Sequence, residues 1–295
     1  MHFERRHRYA DLRRPRFRPI PVRMLVPNVI TLLAICAGLT AIRLSTEGRM
    51  ELAVAAIVFA AVLDGLDGRV ARMIKGQSKF GAELDSLADF VNFGVAPGLI
   101  LYFWQLHELH NGGWIAAMVF AISGGLRLAR FNASMDDPNK PPFAANYFTG
   151  VPAPAGAVIA LLPVYLAFLG VYKSPALLTA LYTLFVAFLM VSRLPVFSGK
   201  SVRMRVPPEM VLPVFVGVIL FIALLIGYPW YILSTGSVLY LLSLPFGLKS
   251  YRDHARAAEA ATAAAAAGVT APIPAPSRPP SVSDPKGEDR PDRLH

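Results

Sequence analysis

The chain has 295 residues, 55% of them hydrophobic, with a mean hydropathy of +0.48 and a formal net charge of +10. That composition is too apolar for an ordinary soluble core, so a membrane is the first solvent to consider. The basic surplus sits on no soluble domain with aromatic platforms, which argues against nucleic-acid binding; it fits attraction to anionic headgroups, worth about 1 kcal/mol per basic residue near the surface.

Residues 1–23, MHFERRHRYADLRRPRFRPIPVR, are Arg-rich, lack a small-residue cleavage site and run into a full-length apolar segment, so an uncleaved cytoplasmic arm is expected. Eight apolar runs follow, each near the length that crosses about 30 Å of hydrocarbon as a helix. They lie near residues 24–45, 51–72, 82–105, 113–133, 150–170, 176–194, 209–227 and 230–248. TEGR, KGQSK, HNGG, YKSP and GYPW punctuate the connections. With the N-terminus inside, 26 of the 29 Lys and Arg residues fall on the cytoplasmic side, leaving only Arg43, Arg49 and Lys173 outside. An all-α integral membrane protein with eight transmembrane helices and both termini cytoplasmic is therefore predicted. Its parts are a basic arm (1–23), a transmembrane catalytic domain (24–248) and a cytoplasmic tail (249–295). The tail is Ala-rich and then Pro-rich, a composition expected to be disordered and dispensable for chemistry.

Cys36 is the single cysteine, so no intrachain disulfide or Cys-based metal site is possible, and a small buried residue is the expected role. HELH at 107–110 lacks the spacing of H-E-x-x-H and falls in an outer loop, so metal binding there is not expected.

The second and third runs contain LDGLDGRVARMIKGQSKFGAELDSLADF. An Asp at the centre of a membrane helix costs roughly 2.5 to 3.5 kcal/mol, so four of them point to function. Asp64 and Asp67 are three apart and Asp85 and Asp89 four apart, which puts each pair on one helix face. Gly76 is nine residues from both Asp67 and Asp85, and twelve and thirteen from Asp64 and Asp89. A hairpin turning there would face Asp67 with Asp85 and Asp64 with Asp89, about 13 and 19 Å from the turn. Four converging carboxylates repel unless cations fill them. Oxygen-only ligands favour hard ions such as Mg²⁺ or Mn²⁺, and two such ions would attract phosphate-bearing substrates. Gly65, Gly68, Ala71 and Gly81 leave room for a ligand beside the backbone, although glycines in membrane helices also serve close packing. Arg72 supplies a forked donor for phosphate or ribose.

Asp64-x-x-Asp67-Gly68-x-x-Ala71-Arg72, eight residues, then Gly81-x-x-x-Asp85-x-x-x-Asp89 resembles the complete signature of the CDP-alcohol phosphatidyltransferases, without departure. The resemblance implies a six-helix catalytic core, here with two further spans, and two divalent metals on the four aspartates. It also implies a CDP-linked lipid with its pyrophosphate on those metals. By the same carry-over Gly68, Ala71, Arg72 and Gly81 line the cytidine and phosphate pocket, Asp89 is the general base, and a homodimer is expected.

Looser stretches are similar to the phosphatidylserine synthase branch of that family: LVPNVITLLAICAG, FVNFGVAPG after Asp89, RLARFN at 127–132, FTGVPAPAGA at 148–157 and SRLPVFSGK at 192–200. They imply transfer of a phosphatidyl group from CDP-diacylglycerol to L-serine, with release of CMP. Glycerol 3-phosphate, choline or an inositol phosphate remain alternative acceptors. Arg127 and Arg130, three apart on one face, suit a serine carboxylate or serve as positive-inside anchors. Asn28 and Thr31 in the first span suit substrate hydrogen bonds or contacts between helices. Arg193 and Lys200 suit an acidic headgroup or mark the interface. The proline breaks at Pro152 and Pro154 suit entry of the acceptor or simply start a helix. A cation- or proton-coupled transporter would spread its acidic residues through the membrane depth, whereas these gather on one hairpin. A purely structural scaffold leaves the cost of the aspartates unexplained. Cytoplasmic basic loops and the family together point to a bacterial inner membrane with the site facing the cytoplasm, while the Arg-rich N-terminus leaves a eukaryotic organelle membrane as the alternative.

Overall fold

In the computed structural model, the described residues are 22–76, 78–135, 147–171, 174–192, 194–197 and 210–266. The chain divides into two compact units, Met1–Tyr251 and Arg252–His295.

Helices dominate. α1 spans Val22–Thr46 and α2 spans Met50–Met73. α3 (Lys79–Asp89) runs through a π-helical segment (Phe90–Val95) into α4 (Ala96–Trp104). A short 3₁₀ turn (Leu106–Leu109) leads to α5 (Asn111–Met135). α6 (Ala153–Ala160) and α7 (Leu162–Phe168) are two pieces of one apolar run, broken at Leu161 ahead of Pro163, whose missing N–H restarts the helix. α8 (Ala176–Val191), α9 (Val211–Gly227) and α10 (Pro229–Ala266) complete the set. Each of the eight predicted apolar runs thus corresponds to helix.

The expectation of an all-α chain needs one correction. Tyr147–Thr149 (β1) and Pro195–Phe197 (β2) pair antiparallel, with Phe148 opposite Val196. Three-residue strands flanked by loops leave no periodicity to read, so nothing in the sequence announced them.

The bundle is inside-out by soluble standards. Leu32, Leu33, Phe59, Ile122, Phe185 and Phe188 are exposed, while Ala41, Ala53, Ala60, Ala96, Ala157 and Ala160 are fully buried. Tyr165, Phe93 and Phe120 fill the core, but many large apolar side chains lie outward and small ones let helices approach, which is the expected arrangement in hydrocarbon. A Cβ on Gly98 would lie 2.9 Å from the Ala117 carbonyl oxygen, and one on Gly124 would lie 3.0 Å from Gly94 Cα, so α5 rests directly on the backbone of the π segment and α4. Cys36 is exposed on α1, not buried as expected. A uniformly apolar span gives no cue to which face meets lipid.

Leu25–Thr46, Lys79–Trp104 and Asn111–Ser134 are each long and apolar enough to cross a bilayer, and Val211–Gly227 with Pro229–Gly247 passes the same test as a pair bent by 115°. α2 has the length, but Asp64, Asp67, Arg69 and Arg72 interrupt its apolar stretch. These features make the chain a multi-pass membrane protein.

At the end of the bundle remote from the aspartates, Gln105 ties α4 to the start of α8. Its amide donates to the Ser174 carbonyl at 2.6 Å and accepts from the Thr179 hydroxyl at 2.9 Å. Gln105 and Thr179 are buried, and this closed polar network satisfies groups that lipid could not.

Candidate active site

The site is built on the turn between α2 and α3. Gly76 donates to the Ala71 carbonyl at 2.9 Å and Lys75 to Arg72 at 3.4 Å, with Lys75 in the left-handed region at φ 50°. That pattern is a Schellman stop, which ends α2 at a defined residue. Ser78 then opens α3 by accepting from the Gly81 N–H at 3.0 Å. Both ends of the turn are capped, so the register between the two helices is set.

The register is the one expected from the spacing about Gly76. One carboxylate oxygen from each of Asp64, Asp67 and Asp85 lies within 4.8 Å of the others. The Asp89 carboxyl lies against Asp64 within hydrogen-bonding reach, and Asp85 has Asp67 as its strongest charged neighbour. Oxygens held at about 2.0 to 2.6 Å from a shared hard cation fall within the observed separation, so Asp64, Asp67 and Asp85 fit a divalent metal. Asp89 stands beside this group, with its Oδ1 buried and without a hydrogen-bond partner among the described residues.

Asp67 is 3% exposed and receives the Thr31 hydroxyl at 2.6 Å; the same hydroxyl lies 3.1 Å from the Pro27 carbonyl. Thr31 therefore positions a carboxylate, and the alternative of contacts between helices describes it. Asn28 approaches α3, where a Cβ on Gly81 would sit 2.9 Å from its Oδ1. Gly81 is small so that α1 can close on α3. Gly65 and Gly68 differ: a Cβ on either meets nothing within 4 Å, so open space lies beside the α2 backbone next to the carboxylates. Ala71 is half-buried and Arg72 is exposed at the end of α2.

The structure separates Arg127 from Arg130. Arg130 donates to the Val191 carbonyl and so closes the C-terminus of α8. Arg127 is 7% exposed, lies over the Phe131 ring at 5.3 Å and is within electrostatic reach of Asp89. Asn132, one turn on, donates to Ser86 Oγ at 2.9 Å and so ties α5 to α3 between Asp85 and Asp89. RLARFN contains Asn132, but nothing in that stretch reveals its partner. Arg193 and Lys200 lie outside the described residues. His107 and His110 are exposed and engage the backbone carbonyls of Tyr102 and Glu108.

A membrane helix bundle holding this carboxylate hairpin matches the family model described as CDP-alcohol phosphatidyltransferase over residues 24–194, and a second described as CDP-alcohol phosphatidyltransferase 2 over residues 209–245. The chain belongs to the CDP-alcohol phosphatidyltransferase family and is an enzyme of that class. Among curated relatives it is similar to a protein of Mycobacterium leprae (strain TN), 40% identical over 81% of this chain and 79% of the relative. A protein of Helicobacter pylori (strain ATCC 700392 / 26695) is 36% identical over 76% of this chain and 91% of the relative. One of Bacillus subtilis (strain 168) is 35% identical over 57% and 88% respectively. All three are named CDP-diacylglycerol–serine O-phosphatidyltransferase.

Proposed function

We propose that this chain transfers the phosphatidyl group of CDP-diacylglycerol to the hydroxyl of L-serine, giving phosphatidylserine and CMP. The similarity to relatives bearing that name, across three quarters or more of this chain in the mycobacterial and Helicobacter cases, carries the reading. Asp64, Asp67 and Asp85, with Asp89 beside them, would hold two divalent cations, Mg²⁺ or Mn²⁺. Such ions offset the charge of a pyrophosphate and make CMP a better leaving group. The open strip along Gly65 and Gly68 admits the cytidine and phosphates, with Ala71 beside it and Arg72 as the forked donor at its mouth. Gly81 and Asn28 close the α1 side, and Thr31 fixes Asp67.

Asp89 takes the proton of the serine hydroxyl as its oxygen attacks the lipid-side phosphorus. The new P–O bond forms while the bond to the CMP oxygen breaks, and its electron pair leaves with CMP. Arg193 and Lys200, with Arg127, are assigned to acidic groups of the substrates; Arg130 is left to α8. Eight spans with both termini cytoplasmic, a core of six plus α9 and α10, a homodimer, and a bacterial inner-membrane location with the site facing the cytoplasm complete the reading. The domain division is an arm (1–23), a catalytic unit (24–248) and a tail (249–295).

The test is CMP release by detergent-purified protein given CDP-diacylglycerol, Mn²⁺ and one alcohol at a time. Serine is expected to support turnover above glycerol 3-phosphate, choline and inositol phosphate. Release with any of those three and none with serine would assign the acceptor elsewhere.

A further inference from the structure

Among the described residues, the buried polar atoms without a hydrogen-bond partner include Asp89 Oδ1 on α3, Arg127 Nε on α5 and the Tyr240 hydroxyl on α10. Arg127 lies within electrostatic range of both Asp89 and Tyr240. Among the described residues the ion pairs at contact distance are Arg43–Glu47 and Arg49–Glu47, so the buried Arg127 guanidinium has a carboxylate nearby but none touching it. A desolvated guanidinium left in this way is costly unless an anion completes it. Its planar fork matches a carboxylate, and a phenolic O–H is a donor to the same kind of oxygen.

We propose that Arg127 and the Tyr240 hydroxyl form the seat for the carboxylate of the acceptor amino acid, so that α10 supplies a specificity-determining residue to a site built on α2 and α3. This rests on the serine reading above. In serine only the α and β carbons separate the carboxylate from the hydroxyl, so anchoring the first on Arg127 presents the second to the neighbouring Asp89. α10 is placed for this by Trp230, which stacks on Tyr165 with ring centroids 6.3 Å apart and packs on Phe168 at 4.7 Å.

The experiment compares the full-length wild type with Tyr240→Phe in steady-state turnover of CDP-diacylglycerol and L-serine, alongside thermal midpoints in detergent. The hydroxyl has no hydrogen-bond partner among the described residues, so its removal should leave the midpoint unchanged. KM for serine should rise about ten-fold, the loss of one hydrogen bond to a charged group, while kcat and KM for CDP-diacylglycerol hold. An unchanged serine KM in a serine-active enzyme overturns this inference alone. Equal rises in both KM values, or an unfolded variant, also overturn it, since the hydroxyl would then be serving the fold. A wild type inert toward serine but active with another alcohol overturns the serine reading together with the seat.

Discussion

Among the aspartates the environment differs in ways that assign different consequences to the same substitution. Asp64, Asp67 and Asp85 share a cluster, whereas Asp89 abuts it with one oxygen free. In the proposed mechanism Asp89→Asn removes the proton acceptor and should lower turnover at least about 100-fold, the lower end of what general bases contribute. Binding of CDP-diacylglycerol should survive better than in Asp64→Asn or Asp67→Asn, as measured by titration of the purified variants. Equal losses of affinity in all three would remove the separate role of Asp89. Thr31→Val keeps the side-chain volume but deletes the 2.6 Å bond to Asp67. Loss of such an outer partner typically weakens a metal site about 10- to 100-fold, so the Mn²⁺ concentration that half-activates the enzyme should rise by that factor. The aspartates were legible in the sequence because charge in hydrocarbon demands an explanation and because their spacing is symmetric about Gly76. Tyr240 was not: one tyrosine in an apolar run carries no mark of the partner that folding brings to it.

Elements differ in how tightly they are held, and the glycines make this measurable. Asn92 is fully buried in the π segment, and the space it occupies exists because α1 has Gly38 opposite; a Cβ there would collide with the Asn92 amide. Gly38→Ala should therefore destabilise by about 1 to 3 kcal/mol through overpacking, whereas Gly65→Ala, whose Cβ meets nothing, should leave the thermal midpoint unchanged or raised. A midpoint drop confined to Gly65→Ala would invert this account of α1 and α2. The helices themselves were readable, since bilayer thickness and a 1.5 Å rise impose a length that few other structures share. The break at Leu161 had a cue in Pro163, while the π segment had none, because an inserted residue changes neither composition nor average periodicity.

For the whole molecule, α9 and α10 contrast. α9 has no buried residue, and every side chain from Val211 to Leu220 is exposed, as suits a helix facing lipid or a second copy. α10 sends Trp230, Leu233, Tyr240 and Leu241 against the core. Residues from Arg252 onward form their own compact unit. A chain ending at Tyr251 should retain CMP release within about two-fold of the full-length protein, since the Ala- and Pro-rich composition beyond it supplies none of the groups proposed for the chemistry. A truncated protein that remains monodisperse in detergent but is inactive would give the tail a part in the chemistry.

The π segment joins the helix that carries Asp85 and Asp89 to a helix that packs, and its extra residue acts as a phase shifter between them. Winding all six residues of Phe90–Val95 as regular α-helix, with none removed, would rotate Asp85 and Asp89 by about 100° relative to the face of α4 that meets α5. That winding would keep the apolar face of α4 on α5 and turn the two carboxylates away from α2. Regularity of this helix and alignment of its carboxylates are then mutually exclusive, and the chain has retained the irregular winding.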